Sequence, residues 1–281
     1  MDENNLFLKN IEEKYERFLD YYTIMNSDFL TMEQQSMLSG FLRTHRREGV
    51  FFYGGFAEAE RRQVVFLPDY TGVAEKVCEL PPNENEKEND FANCRILTEY
   101  FEQNPENCPI RLLDIVIPPT EHKTLGHRDY LGALMGEGIK REKVGDILVH
   151  EKGAQIIVAS ELADYLAENF RQVGSVSVLV KKSQISALGS TEIRTISLKF
   201  TVSSPRIDNI VSGVFGISRK DAVSVISHGK VFVSGREITK PDFALKGGEK
   251  IVLRGKGKAI YNGVTGTSKK GKLYIDVEKY V

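Results

Sequence analysis

The sequence predicts a multidomain α+β protein. An α-rich N-terminal domain with a short strand pair spans residues 1–84, a ferredoxin-like βαββαβ domain spans 85–187, and a small α/β domain with a connector strand and basic tail spans 188–281. Three observations carry this reading. The chain has 281 residues, more than one core commonly organises. Its apolar spacing is helical at the start and becomes an alternation of strand-like and helix-like runs after Ile110. Its charge is divided unevenly: Ser204 to Val281 holds 15 Lys+Arg against 7 Asp+Glu, whereas the preceding 203 residues hold 23 against 32.

In the N-terminal region Phe7, Ile11, Tyr15, Phe18, Leu19 and Tyr22 recur at helical spacing with charges between them, so the aromatic stripe reads as one side of a core. Thr31 is placed to cap a second helix, with Glu33 and Gln34 in its first turn and Met37, Leu38, Phe41 and Leu42 facing inward. Arg43, His45, Arg46 and Arg47 gather at the end of that helix, either to meet its dipole or as an additional nucleic-acid contact. Val50–Tyr53 and Gln63–Leu67 read as strands around Gly54-Gly55. Residues 81–90, PPNENEKEND, are Pro-led, acidic and poor in apolar groups, the composition of a linker and domain boundary.

From Ile110 onward the pattern runs strand (112–117), helix (127–138), strands (146–150 and 155–159), helix (161–170) and strand (176–180). This is the split βαβ order, also used by RNA-recognition modules. Those modules stack bases on rings in their central strands. The equivalent strands here, DILVH and AQIIVA, have no Phe, Tyr or Trp, so phosphate or shape contacts, or docking onto a protein, are expected instead. Glycines at 126, 132, 136 and 138 lower helix stability and point to close backbone approach or a shaped loop. Arg128, Lys140, Arg141 and Lys143 form a candidate second RNA patch, with Asp129 as a local cap. The triplet His127-Arg128-Asp129 lacks the Gly-rich loop, strand lysine and metal-binding partner of a kinase.

Residues 183–203 read as a connector with strand character at Ile193, Ile196, Leu198 and Phe200, and Ser203-Ser204-Pro205 as a hinge. Ile207, Ile210, Val211, Val214 and Phe215 then define a helix ended by Gly216. Ser218, with Asp221 three residues on, caps a second helix carrying Ala222, Val225 and Ile226 inward. Val231 and Val233 point in and Phe232 out, followed by a Ser234-Gly235 turn, Arg236-Glu237-Ile238, Leu245 and the strand Ile251-Val252-Leu253. The segment TGTSKKGK reads as a mobile basic loop before a closing strand, Leu273–Val277. Cations at helix starts and turns mark a phosphate-binding face: Arg206, Arg219, Lys220, Lys230, Arg254, Lys256, Lys258, Lys269 and Lys270.

No run of eighteen apolar residues is present, so no membrane partner is expected. The acidic N-terminus lacks the apolar stretch of a signal peptide, and Cys78, Cys94 and Cys108 fit neither a disulfide framework nor a zinc site. His122 and His127 have no ligand-spaced partner. The expectation is a cytoplasmic monomer with no metal, no cofactor and no catalytic residues.

Arg206-Ile207-Asp208, Ser218-Arg219-Lys220, Ala222, Ile226, Gly229-Lys230-Val231, Val233, Gly235, Leu245, Gly248-Glu249 and Ile251 together resemble the S-four-type RNA-binding domain. Ser234 departs from it, because an Asn often precedes the turn glycine there. With the segment from Leu125 to Val149, most of the chain resembles the YlmH-like family of cytoplasmic RNA-binding proteins. That resemblance implies association with ribosomes, specifically a role on the large subunit near transfer RNA in rescue or quality control of stalled translation. The alternatives are an RNA-modifying enzyme of the pseudouridine-synthase type and a nucleic-acid-binding factor linked to cell division. The first would need a catalytic middle domain, in which no nucleophile–base pair or cofactor loop is found. The second requires competition between duplex DNA and ribosomal RNA to decide.

Overall fold

Helix α1 (Glu3–Tyr21) turns Ile11, Tyr15 and Phe18 into a core, as their spacing requires. The computed structural model describes residues 3–45, 47–79, 86–121, 123, 125–188 and 195–280; the chain divides into two units, Met1–Thr191 and Glu192–Val281. After α1 come β1 (Met25–Asn26) and α2 (Met32–Thr44). A capping box closes α2: Thr31 Oγ1 accepts from the Gln34 N–H, and Gln34 Oε1 accepts from the Thr31 N–H. Strands β2 (Val50–Tyr53) and β3 (Gln63–Phe66) complete a small antiparallel sheet of order β1-β3-β2.

Two helices follow, α3 (Val73–Cys78) and α4 (Glu86–Gln103). The second corrects the linker expectation in part, since it begins inside the acidic segment. Glu and Lys are good helix formers, and the apolar face that anchors the helix, Ile96, Leu97 and Phe101, comes only later in the sequence. Residues 81–85 lie outside the described residues.

The middle of the chain has the expected βαββαβ order: β4 (Ile110–Val116), α5 (His127–Gly136), β5 (Val144–His150), β6 (Gly153–Ala159), α6 (Ala163–Asn169) and, after a detour, a fourth sheet strand. The strand expected at 176–180 is divided. A two-residue ladder, β7 (Gln172–Val173) with β8 (Val176–Ser177), precedes β9 (Leu179–Ser183), which is the strand that joins the sheet. The antiparallel order β5-β6-β4-β9 is that of a ferredoxin-like sheet.

Both faces of this sheet are covered. On one, Leu113, Ile115, Ile156 and Val158 pack with Tyr130, Leu134 and Leu166 from α5 and α6. On the other, Ile110, Leu112, Ile157 and Ala159 pack with Phe29, Tyr53, Ile96, Leu97 and Phe101 from the N-terminal part of the chain. The surface on which RNA-recognition modules stack bases is thus interior here, and this accounts for the aliphatic residues of its strands. The same arrangement places residues from both sides of position 84 in one core.

A polar clamp fastens the layers. The Asp146 carboxylate on β5 accepts the backbone N–H groups of Glu60 (2.7 Å) and Arg61 (3.1 Å). The Arg61 guanidinium donates to the carbonyls of Val144 (3.0 Å) and Phe29 (2.9 Å), and the Phe29 N–H donates to the Glu142 carbonyl at 2.8 Å. Burial, reinforced by nearby Arg141, pulls the Arg61 pKa down to about 10. The cysteines are free thiols; burial pushes Cys94 and Cys108 upward in pKa, so they stay protonated and inert.

The second unit is one antiparallel sheet with two helices on one face. Its elements are β10 (Thr195–Val202), α7 (Ile207–Phe215), α8 (Arg219–Ser227), β11 (Val231–Val233), β12 (Arg236–Glu237), β13 (Glu249–Leu253), β14 (Gly257–Thr267) and β15 (Leu273–Tyr280). The order is β10-β15-β14-β13-β11-β12. Val231, Val233, Ile251, Leu253, Tyr261, Ile275 and Val277 meet Ile207, Ile210, Val211, Ala222 and Ile226 in its core.

Two expectations change. The segment read as a connector contributes a full edge strand, because β10 pairs with β15 at eight positions. The Phe200 ring on β10 lies over helical Gly213, where a Cβ would come within 2.4 Å of it. The basic loop is a closed turn: Thr265–Thr267 belong to β14, the Ser268 N–H donates to the Lys272 carbonyl at 2.7 Å, and the Lys272 N–H donates to Ser268 Oγ at 2.9 Å. Residue 193, read as part of the connector strand, lies outside the described residues.

Between β11 and β12, Ser234 (φ 47°) and Gly235 (φ 83°) both take left-handed backbone, the type I′ requirement that favours Asn-Gly. Ser234→Asn is therefore expected to stabilise the protein by about 0.5–1 kcal/mol, read as a higher urea midpoint with an unchanged slope. Asp146→Ala strands two half-buried N–H groups and is expected to cost about 1–2 kcal/mol; an unchanged midpoint would show that the clamp adds nothing.

Candidate nucleic-acid interface

The corner where α7 and α8 begin is organised by one carboxylate. Asp208, in the first turn of α7, has a side chain only 1% exposed. Its Oδ1 accepts from Arg206 Nε (3.1 Å) and the Asn209 N–H (3.0 Å). Its Oδ2 accepts from the Arg206 terminal nitrogen (3.2 Å) and from Arg219 through Nε (3.1 Å) and a terminal nitrogen (3.0 Å). Burial opposes ionisation of Asp208, but hydrogen bonds and charge from both arginines outweigh it and hold the carboxyl below its usual pKa. The arginine side chains remain 40% and 58% exposed, so two guanidiniums are fixed in place and one positive charge is left over. Exposed Lys220 adds to it at the start of α8. Ser218 caps that helix by accepting the Asp221 N–H at 3.1 Å.

A second group sits at the opposite end of α8. The Arg254 N–H donates to the Lys230 carbonyl at 2.9 Å, joining the end of β13 to the start of β11, and Lys256 occupies the turn into β14. Lys258 follows on β14, paired in register with Val252. Arg254 lies 4.5 Å over the Phe232 ring and Lys258 lies 4.6 Å over the Tyr280 ring. Lys269 and Lys270 lie in the turn at the far end of β14, roughly 30 Å along the strand from Lys258 at a rise of about 3.3 Å per residue. The nine cations therefore form separate groups at two ends of the unit, not the one continuous face expected. Sequence spacing records that they sit at turns but not which end of the sheet each turn occupies.

The four cations proposed as a second patch do not assemble into an open surface. Arg141 folds inward, donating to the Val144 carbonyl at 2.5 Å, and burial lowers its pKa. Lys143 is held by Asp28 (2.6 Å) and Glu161 (2.7 Å); burial works against its charge, but these two carboxylates outweigh it and raise its pKa. Lys140 lies 3.9 Å from Glu142 in an exposed pair of little energetic weight, and Arg128 is exposed. Asp129 caps α5 by accepting the Gly126 N–H at 2.8 Å. A Cβ on Gly132, Gly136 or Gly138 would meet nothing within 4 Å, so close approach to another segment does not explain these glycines.

In the N-terminal cluster Arg47 lies over the Tyr15 ring (5.2 Å) and pairs with Glu12 (3.5 Å), while His45 stacks on Phe41 at 4.3 Å. Arg46 lies outside the described residues, as does His122. Among the described residues, no group of three or more His, Cys, Asp and Glu is placed to hold a metal, and no helix is long and apolar enough to cross a membrane. The sharing of Asp208 between two arginines was missed from sequence; its signal was an acid set among the apolar positions at the start of α7, with Arg on both sides in the chain.

The family model described as "Putative RNA-binding domain in YlmH" matches residues 104–187, and that of the S4 domain matches residues 205–251. A protein of Bacillus subtilis (strain 168) named "Ribosome-associated protein quality control protein P2" is 27% identical over 260 residues, covering 92% of this chain and 89% of the relative. The likeness is thus to the YlmH RNA-binding domain and the S4 domain over these two segments, and to the Bacillus protein over nearly the whole chain. Its C-terminal S4 domain is also similar to the small ribosomal subunit protein uS4 of Kosmotoga olearia, 36% identical over 77 residues, 27% of this chain and 36% of that protein. Among solved structures, the "Cell division protein ylmH from Streptococcus pneumoniae" aligns with a TM-score of 0.44 and 21% identity, covering 67% of this chain and 95% of that one.

Asp208 contributes stability in full above its unfolded pKa of about 3.9, and loses it as pH falls through its lower folded value. Asp208→Asn is expected to lower stability by about 1–3 kcal/mol at pH 7, with the gap to the parent closing in acid below about pH 4. Urea unfolding across that range reads it; a gap independent of pH would place the effect outside the carboxylate's charge.

Proposed function

We propose that this YlmH-like chain is a non-catalytic RNA-binding factor that contacts ribosomal or transfer RNA on the ribosome. It would act in the cytoplasm, as a monomer, in rescue or quality control of stalled translation, with the large subunit as its docking site. The observation that carries this reading is the cationic corner at Asp208. Two guanidiniums with fixed orientation and exposed outer edges, beside Lys220 and a capped helix start, are a ready binding site for adjacent phosphates. The similarity to the Bacillus relative over nearly the whole chain supports the quality-control setting, and the likeness to uS4 supports RNA as the ligand.

The mechanism is capture by charge followed by fit. Lys and Arg side chains neutralise phosphates and release counterions, and the rigid S4 unit selects a folded RNA shape. With about five phosphates engaged, log K falls against log salt with a slope of roughly −3.5 to −4.5. Because Asp208 holds it in place, Arg219→Ala removes a pre-positioned contact; Lys256→Ala removes a flexible one. Each is expected to weaken binding to every RNA tested and to flatten the slope by about one unit, measured by filter binding with ribosomal RNA fragments. Unchanged slopes for both would remove these residues from the interface, and equal competition by duplex DNA would overturn the assignment to RNA.

A further inference from the structure

The helices α7 and α8 occupy one face of the S4 unit's sheet, and the strand register fixes what lies on the other. Phe232 pairs with Val252, and Val252 with Lys258, so the three stand side by side across β11, β13 and β14. Ala259 pairs with Lys279, which brings Tyr280 beside Lys258 and completes the row on β15. Both rings of this row carry a cation: Arg254 at 4.5 Å from the Phe232 centroid, and Lys258 at 4.6 Å with Lys250 at 5.7 Å from the Tyr280 centroid. Phe232 and Tyr280 are separated by three strand spacings, about 14 Å.

This is the combination that the middle domain lacks. There the sheet face is aliphatic and buried; here it presents two half-buried rings with guanidinium and ammonium groups against them. A guanidinium held over a ring is a planar group with N–H donors at its edge, able to stack with a base and to bond its edge. Three acids share this face, Glu237 opposite Phe232, Glu278 opposite Ile260 and Asp276 opposite Lys199. They are outnumbered by Lys250, Arg254 and Lys258 together with Lys230 and Lys256 at the adjoining end.

We infer that this outer row of the S4 sheet is a ledge for unpaired RNA nucleotides, with bases stacking on the Phe232–Arg254 pair and on Tyr280 while the lysines take the intervening phosphates. A duplex hides the faces of its bases and has no use for such rings, whereas every unpaired base has a π-face to offer. The ledge is distinct from the Asp208 corner. It rests on RNA being the ligand of the chain, and it adds a preference for single-stranded segments that the corner alone does not provide.

The test uses the full chain and fluorescence anisotropy with a labelled oligouridylate and a blunt RNA duplex of equal phosphate number. The double variant Phe232→Leu with Tyr280→Leu removes both rings and keeps every charge. It is expected to bind the oligouridylate at least about tenfold more weakly, with the same salt slope and unchanged duplex affinity. An effect within twofold on the oligouridylate, or an equal loss on the duplex, would overturn the ledge. Arg254→Lys, which keeps charge and removes the plane, guards against misfolding of the ring variant: it is expected to weaken only oligouridylate binding, and no change would count against the proposal. Ultraviolet crosslinking to the oligouridylate adds a direct readout, with nucleotide adducts expected on peptides containing Phe232 or Tyr280; adducts confined to other peptides of the chain would overturn it. Failure of the ledge leaves binding to ribosomal RNA fragments intact, whereas loss of that binding in the parent chain defeats the RNA assignment itself.

Discussion

A carboxylate almost sealed from solvent must be paired, and the way Asp208 is paired sets the character of the C-terminal unit. Five donors converge on its two oxygens, four of them from Arg206 and Arg219. Two cations on one anion leave an excess positive charge and two restrained side chains. Lys143 shows the opposite ratio, one cation between Asp28 and Glu161, and the result is a local negative excess. Counting basic residues does not distinguish these cases. The ratio at each pairing site does, because desolvated partners neutralise one another while an odd cation stays available.

The wider frame serves the same corner. Helix α7 is anchored by its apolar stripe and by the Phe200 ring lying against Gly213, so the helix start cannot drift relative to the sheet. Capping by Ser218 fixes the start of α8 within hydrogen-bond reach of Asp208. A β10 strand paired along its length with β15 closes one edge of the sheet, and the short β12 ends the other.

Much of this was legible in the residues. Periodicity located both C-terminal helices, the Thr31 cap and the βαββαβ order, because burying one face of an element writes its own repeat into the sequence. The cations were likewise read correctly as exposed turn and cap residues for Lys220, Lys230, Arg254 and Lys256. What escaped was whatever depends on residues distant in the chain. The start of α4 reads as linker because its apolar anchor begins ten residues later at Ile96. β10 reads as a connector because its partner, β15, lies over seventy residues away. Arg141 and Lys143 read as a surface patch because Val144, Asp28 and Glu161 are not visible as their partners until the chain is folded.

The covered sheet in the middle of the chain has a practical corollary. Ile110, Leu112 and Ile157 each gain about 1.5–3 kcal/mol from burial, a sum comparable with the whole stability of an ordinary domain. Cutting the polypeptide near residue 85 would lay that surface bare, and the excised fragment would be adhesive and aggregation-prone however faithful its strand order. A truncation series should therefore keep residues 1–191 together as its smallest N-terminal piece.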